Sequence, residues 1–233
     1  MSEVTNRFLR HTLRVAACAT STGLLFSFGL TLEGLRYRLG MLGTGLIFAA
    51  GLDSNAFDIS DGRIDRTGDG RFKVSTTEMR ATISGTSGKS IQVHFTYLGP
   101  TQDISKLADG SVRHQFALAL RAKDICNRVY IGWHFLAPKR HDQVVVQVKT
   151  NPGQVSHADC GDSGYQTVAT LDAPGVRVNE EHTFEASIRD RRLVVITDGA
   201  VADVKLPDAA FTFDGPAALR SDNAHVIFSY EAD

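Results

Sequence analysis

From Phe72 onward, apolar and polar residues alternate with a period of two, in short runs rich in β-branched and aromatic side chains that Gly, Asp and Asn clusters separate. Successive strand residues point to opposite faces of a sheet, so each run predicts a strand with one face in a core. Over residues 90–97, Ile91, Val93, Phe95 and Tyr97 share one face, and Gln92, His94 and Thr96 share the other. Comparable runs occupy 72–83, 113–122, 128–136, 143–149, 182–188, 193–196, 201–206 and 218–230. The pattern predicts an all-β domain of about nine strands with little helix. Residues 189–192 and the Asp198-Gly199 pair supply tight turns, which make consecutive strands antiparallel.

The first quarter of the chain reads differently. Residues 15–32 run 18 positions without a charge behind Arg7, Arg10 and Arg14, and residues 39–52 run 14 more behind Arg36 and Arg38. A basic stretch, an apolar stretch and then small residues form the order that export machinery reads. The second segment fits this order best, because Ser54-Asn55-Ala56 offers a cleavage site and the mature chain then begins near Phe57. The first is a marginal span, since a bilayer needs about 20 predominantly apolar residues and this run is diluted by Ser, Thr and Gly. Val15-Ala16-Ala17-Cys18 has the look of a lipobox but follows charged residues, so lipidation at Cys18 is not expected. The expected organisation is a targeting region, 1–56, and a single β-sandwich domain, 57–233, of 177 residues.

Charge then narrows the partners. The chain has 25 basic and 26 acidic residues, and five of the former and three of the latter lie in residues 1–56, leaving 20 and 23. A slightly acidic domain lacks the footprint of a phosphate-backbone binder, so nucleic acid is not an expected partner, and the membrane is one only through an uncleaved N-terminal segment. Export implies an oxidising, extracytoplasmic setting, either secreted or in a bacterial periplasm or cell envelope, and there the remaining pair Cys126 and Cys160 is expected to be bridged. Two buried thiols are the alternative.

The stretch from Phe184 through Arg189-Asp190-Arg191-Arg192 to Asp198-Gly199, followed by Leu219-Arg220-Ser221-Asp222-Asn223 opening a last strand, resembles concanavalin A-like jelly-roll sandwiches. These include laminin-G-type modules, bacterial glucanases and several polysaccharide lyases. The resemblance implies an antiparallel jelly-roll β-sandwich and leaves activity open. Thr76-Thr77-Glu78-Met79-Arg80 and Gln92-Val93-His94 also resemble the Arg-x-Glu-x-Arg and Gln-x-His strands of alginate-lyase-type jelly rolls, although Thr76 replaces the first Arg and no Lys-x-Gly-x-Tyr-Asn-Gln strand follows.

If those two strands are neighbours on one concave sheet, Glu78, Arg80, Gln92 and His94 form one polar groove for a sugar chain. In the lyase version Arg80 and Gln92 neutralise a uronate carboxylate while His94 and Tyr130 move protons. Glu78/Arg80 as a plain surface ion pair is the competing reading. Within Tyr130-Ile131-Gly132-Trp133-His134-Phe135, parity sends Trp133 to the core and Tyr130 and His134 to the opposite face as further ligand candidates, with Arg113 and Gln115 extending the polar surface. No Glu-x-Asp-x-x-Glu run of a retaining glucanase is present, nor a serine-hydrolase, zincin, P-loop or dinucleotide signature.

His157, Asp159 and Asp162 lie in a long loop and form too sparse a set for Ca²⁺, so no metal or other cofactor is expected. The first expectation is a noncatalytic exported module that binds a polysaccharide or cell-surface glycan. A polysaccharide lyase is the alternative, and a structural envelope protein is the third. Mass spectrometry of the exported chain should find its N-terminus near Phe57; a soluble cytosolic protein still beginning at Met1 would overturn both the export and the redox arguments.

Overall fold

The computed structural model of the chain describes residues 56–107, 110–136 and 141–233. The expected targeting region, 1–56, lies outside these residues except for its last position. Among the described residues the chain forms two seven-stranded antiparallel sheets. The first runs, edge to edge, β1 (Phe57–Asp61), β4 (Glu78–Ile83), β13 (Ala218–Asp222), β6 (Gln115–Leu120), β7 (Arg128–His134), β8 (Gln143–Lys149) and β9 (Tyr165–Asp172). The second runs β12 (Ala200–Lys205), β11 (Arg192–Thr197), β10 (Glu181–Arg189), β5 (Ser90–Pro100), β14 (Ala224–Ala232), β3 (Phe72–Val74) and β2 (Asp65–Arg66).

The two inner faces carry the alternating apolar positions. Met79, Ala81 and Ile83 of the first sheet and Ile91, Val93 and Phe95 of the second are buried in one continuous core. Aromatic rings hold its centre: Phe95 lies 5.2 Å from Phe116 and 5.7 Å, edge-on, from Trp133, and Phe116 lies 5.6 Å from Phe228. Each such side chain contributes about 1.5–3 kcal/mol by leaving water. Trp133 is fully buried, as its parity requires. The expected turns are also present, since Asp198 (φ 47°) and Gly199 (φ 83°) close the β11–β12 hairpin in the left-handed conformations of a type I′ turn.

Three runs differ from their sequence reading. The run 72–83 is two strands, β3 and β4, in different sheets, and 218–230 is likewise β13 and β14. In both, the core-facing positions change parity at the crossing: Phe72 and Val74 give way to Met79, Ala81 and Ile83, and Leu219, beside outward Arg220 and Asp222, gives way to Val226 and Phe228. That slip of parity marks the crossing. The two crossings touch, for the Asn223 N–H donates to the Thr77 carbonyl at 2.6 Å. Asn223 thus closes β13 rather than opening the last strand. The third difference is β9, an edge strand where no run was expected, whose alternation is broken where a bulge shifts its pairing with β8 between Val146 and Gln147.

Cys126 and Cys160 are bridged, with Cα atoms 5.9 Å apart. The bond joins the loop before β7 to the short helix His157–Cys160, whose N-cap Ser156 and Asp159 bond each other reciprocally. Closing a loop across 34 positions stabilises the fold by roughly 3–4 kcal/mol in the chain-entropy view. Reduction under native conditions is therefore expected to lower the melting temperature by roughly 10 °C for a domain of this size, measured by calorimetry with and without reductant.

Candidate functional site

The outer faces of the two sheets are unlike. On the second sheet the outward residues of β5, β10 and β11 are half-buried or exposed apart from Ser187, the ordinary state of a solvated sheet face. On the first sheet β6 and β13 are buried at every position, outward ones included. Side chains standing on that outer face must therefore cover it.

The strand register shows how. Asp222, Gln115, His134 and Gln143 form one outward row across β13, β6, β7 and β8. Arg220, Ala117, Gly132 and Val145 form the next, and Ala218, Ala119, Tyr130 and Gln147 the third. Small residues fill the middle and large polar ones stand around them. The Tyr130 ring packs on Ala119 and Ala218. A Cβ on Gly132 would lie 2.8 Å from Gln115 Oε1 and 3.0 Å from His134 Nε2, so both side chains lean over the bare glycine. The result is a shallow hollow lined by Arg113, Gln115, Tyr130, His134, Gln147 and Arg220 over a floor of Ala117, Gly132 and Val145. Beyond Tyr130, Arg128 lines an adjoining groove of about 330 Å³ with Asp58, Ser60, Thr82, Ile125, Val155 and His157.

The charges at the centre of this face are desolvated. Arg220, 9% exposed, donates through Nε to both oxygens of Asp222 (2.8 and 3.1 Å), and Gln115 Nε2 donates to Asp222 as well. One strand over, Arg80 pairs with Asp61 and with Glu78 at 2.6 Å, and Ser105 donates to Glu78 at 2.5 Å. The Ser105 bond, helped by Arg80 and Arg220 and opposed by burial, holds the Glu78 carboxyl below its usual value. Arg128 Nε donates to the Asp124 carbonyl at 2.7 Å with its guanidinium 5.5 Å from the Tyr130 ring centroid. Lys149 Nζ donates to the Gly161 carbonyl at 2.6 Å and lies 4.8 Å from the Tyr165 ring centroid.

Titration reflects this crowd of cations. Burial raises the Tyr130 phenol, but Arg128, Arg220 and Arg80 outweigh it and bring the group below its ordinary value. Tyr165 is pushed up by burial and by Tyr130. Burial first, then Arg113 and Arg220, lowers His134 to about 4, so its imidazole is neutral at physiological pH.

The sequence-predicted residues divide between two faces. Glu78, Arg80, Tyr130 and His134 all stand on the outer face of the first sheet, joined by Arg113 and Gln115. Gln92 and His94 lie on β5, in the second sheet, where His94 Nδ1 meets the Thr183 hydroxyl at 3.3 Å. The four-residue groove of Glu78, Arg80, Gln92 and His94 does not form, and the lyase set Arg80, Gln92, His94 and Tyr130 is split with it. The physical reason is the pairing, for β4 lies between β1 and β13 while β5 lies between β10 and β14. Sequence reasoning missed Arg220, Asp222, Arg128, Lys149 and Tyr165. A signal was available in the small outward residues Ala117, Ala119 and Gly132, which make room for side chains from neighbouring strands. Asp159 is engaged with Ser156, and among the described residues no group of three His, Cys, Asp or Glu is placed to hold a metal ion.

No protein-family model and no curated protein matches the chain. Solved structures do match. The carbohydrate-binding module CBM66 from Bacillus subtilis aligns with a TM-score of 0.53 at 16% identity over 76% of this chain and 96% of that one. The fold is the concanavalin A-like jelly-roll sandwich. More distant likenesses are the exoplasmic/lumenal domain of VIP36 in its Ca²⁺/Man3GlcNAc-bound form (TM-score 0.48, 14% identity, 76% and 84% covered) and CG-16, a homodimeric agglutinin from chicken liver (0.43, 10%, 66% and 99%). At these identities the likeness concerns the jelly roll itself.

His134 generates a pH prediction. Its folded value, about 4, lies below the ordinary 6.5, so between these values the unfolded chain binds a proton that the folded one refuses. Its contribution to stability is complete above pH 6.5 and declines as pH falls toward 4. His134→Asn should therefore show a smaller drop in melting temperature between pH 7 and 4.5 than the parent chain, read by thermal denaturation across that range.

Proposed function

We propose that this protein is an exported, noncatalytic glycan-binding module whose site is the outer face of the first sheet. The observation that carries the reading is the hollow over Ala117 and Gly132, where buried and half-buried polar side chains surround a floor of small residues. Sugars present hydroxyls in many directions and need fixed donors and acceptors close to apolar surface. Gln115 and Gln147 offer both, neutral His134 offers one or the other, and Tyr130 adds a ring edge and a hydroxyl. These groups stand on paired central strands, so the site is rigid before any ligand arrives.

The likeness to a carbohydrate-binding module supports the same reading, since that neighbour's name states what it binds. The Cys126–Cys160 bridge supports an extracytoplasmic setting, because such bonds persist where thiols are not kept reduced. Among the described residues no helix is long and apolar enough to cross a membrane.

The test fills the hollow from its floor. Gly132 adopts ordinary strand geometry, so Gly132→Val keeps the strand while its side chain displaces Gln115 and His134. Overpacking costs roughly 1–3 kcal/mol, which leaves the chain folded. Glycan-array binding followed by calorimetry on the best ligand should show at least a tenfold loss for Gly132→Val, with His94→Ala on the other sheet within twofold of the parent. A loss confined to His94→Ala would place the site elsewhere and overturn the assignment.

A further inference from the structure

The two depressions on the outer face of the first sheet differ greatly in size. The hollow over Ala117 and Gly132 encloses about 10 Å³, and the groove beyond Tyr130 about 330 Å³. A space of the first size holds about one water molecule, so it admits a single small substituent and not a sugar ring. The groove falls within the range of small-molecule sites, about 300–1,000 Å³. The register sets the two side by side. Asp58, Thr82, Ala218, Ala119 and Tyr130 form one outward row across β1, β4, β13, β6 and β7. Asp58 and Thr82 line the groove and Tyr130 lines the hollow. Adjacent strands lie about 4.8 Å apart, so the row spans about 19 Å, more than the width of one sugar ring. Its middle is low, because Ala218 and Ala119 carry only methyl groups and the Tyr130 ring packs on both. The partition between hollow and groove is thus one phenol and the Arg128 guanidinium, 5.5 Å from the Tyr130 ring centroid.

The rest of the groove lining is set by the disulfide. Ile125, Val155 and His157 come from the two segments that the Cys126–Cys160 bond joins, and Val155 is 62% exposed. An apolar surface therefore stands beside polar groups of several kinds. The Asp58 carboxylate and the Ser60 and Thr82 hydroxyls accept hydrogen bonds, while Arg128 donates through its terminal nitrogens, since Nε is held by the Asp124 carbonyl. A pyranose has the matching division, with C–H groups on its ring faces and hydroxyls around its rim. Charged groups of both signs line the groove, which suits a neutral unit rather than an ion.

We propose that the groove is the ring-binding subsite of this face, taking one unit of a neutral oligosaccharide while a substituent of the next unit enters the hollow, so that the module recognises linked sugars rather than a lone monosaccharide. The inference rests on the glycan-binding reading and adds the length and class of the ligand.

The experiment uses the full chain and ladders of neutral oligosaccharides, one to six units long, from β-1,4-glucan, xylan, mannan and dextran, each titrated by calorimetry. On at least one ladder, affinity should rise at least tenfold between the monosaccharide and the trisaccharide. Ser60→Trp, at an exposed position of the edge strand β1, should weaken trisaccharide binding at least tenfold while its circular dichroism matches the parent. Thr82→Phe, filling the groove from the neighbouring strand, should do the same. A monosaccharide that binds as tightly as the trisaccharide would overturn the two-part site. Parent-like binding by either folded variant would overturn the groove and, with Gly132→Val still losing its ligand, leave glycan binding at the hollow standing. If the parent chain binds none of the ladders, the inference falls, and the glycan array separately decides whether the glycan reading falls with it.

Discussion

Asn223 holds the place where the jelly roll turns from one sheet into the other. Its φ of 50° is a left-handed conformation that Asn tolerates and most side chains resist. Each of its four polar atoms is used. Its N–H donates to Thr77, its amide donates to the carbonyls of Ser105 and Arg113 at 2.8 Å, and its side-chain oxygen accepts from the Ser105 N–H at 2.7 Å. Its carbonyl accepts from the Thr101 N–H at 3.2 Å and meets His114 Nδ1 at 3.0 Å. Through these bonds one buried residue pins the 75–77 crossing, the segment after β5 and the approach to β6. β13 therefore lies between β4 and β6 with Arg220 and Asp222 facing outward.

That outward pair sets the character of the site. A buried ion pair gains little net stability, because desolvation consumes most of its Coulombic attraction, yet removing one partner costs about 3–5 kcal/mol. Arg220 and Asp222 are therefore fixed rather than stabilising, and they fix Gln115 with them. Gln115 in turn leans over Gly132, whose missing side chain leaves the floor open. At the other end of β7 the Cys126–Cys160 bond restrains the loop whose Asp124 carbonyl receives Arg128, and Gly161, next to Cys160, receives Lys149. Two structural restraints, one an amide and one a disulfide, thus hold the two ends of one polar face.

Period-two alternation was enough to read the fold class, the core faces, the Asp198-Gly199 hairpin and the inward Trp133, because each depends on neighbours within one strand. Pairing between strands depends on residues far apart in the chain, and there parity carries no information. Glu78/Arg80 and Gln92/His94 are separated by a short turn and alternate in the same sense, yet β4 and β5 enter different sheets. Within 72–83 and 218–230 the core positions switch parity, and taking each run as one long strand overlooks the two crossings that this switch marks. Tyr130 and His134 were placed on the correct face, since their parity is set against Trp133 within β7. Arg220 stayed invisible as a site residue for the opposite reason, because its partners Ala117 and Tyr130 come from β6 and β7, brought beside it only by the register.

The contrast between the two outer faces carries the last step. A sheet face turned to water needs only polar side chains that stay hydrated, and the second sheet has these in Gln92, His94, Thr183 and Glu185. The first sheet instead buries Arg128, Lys149, Arg220, Asp222 and Gln115 on the side away from the core. Such burial adds nothing that apolar residues of like volume could not supply at lower free energy. A fold with a large aromatic core tolerates the cost, and the cost falls where small floor residues leave a hollow. Desolvated, oriented polar groups around an open floor need no rearrangement when a ligand replaces water.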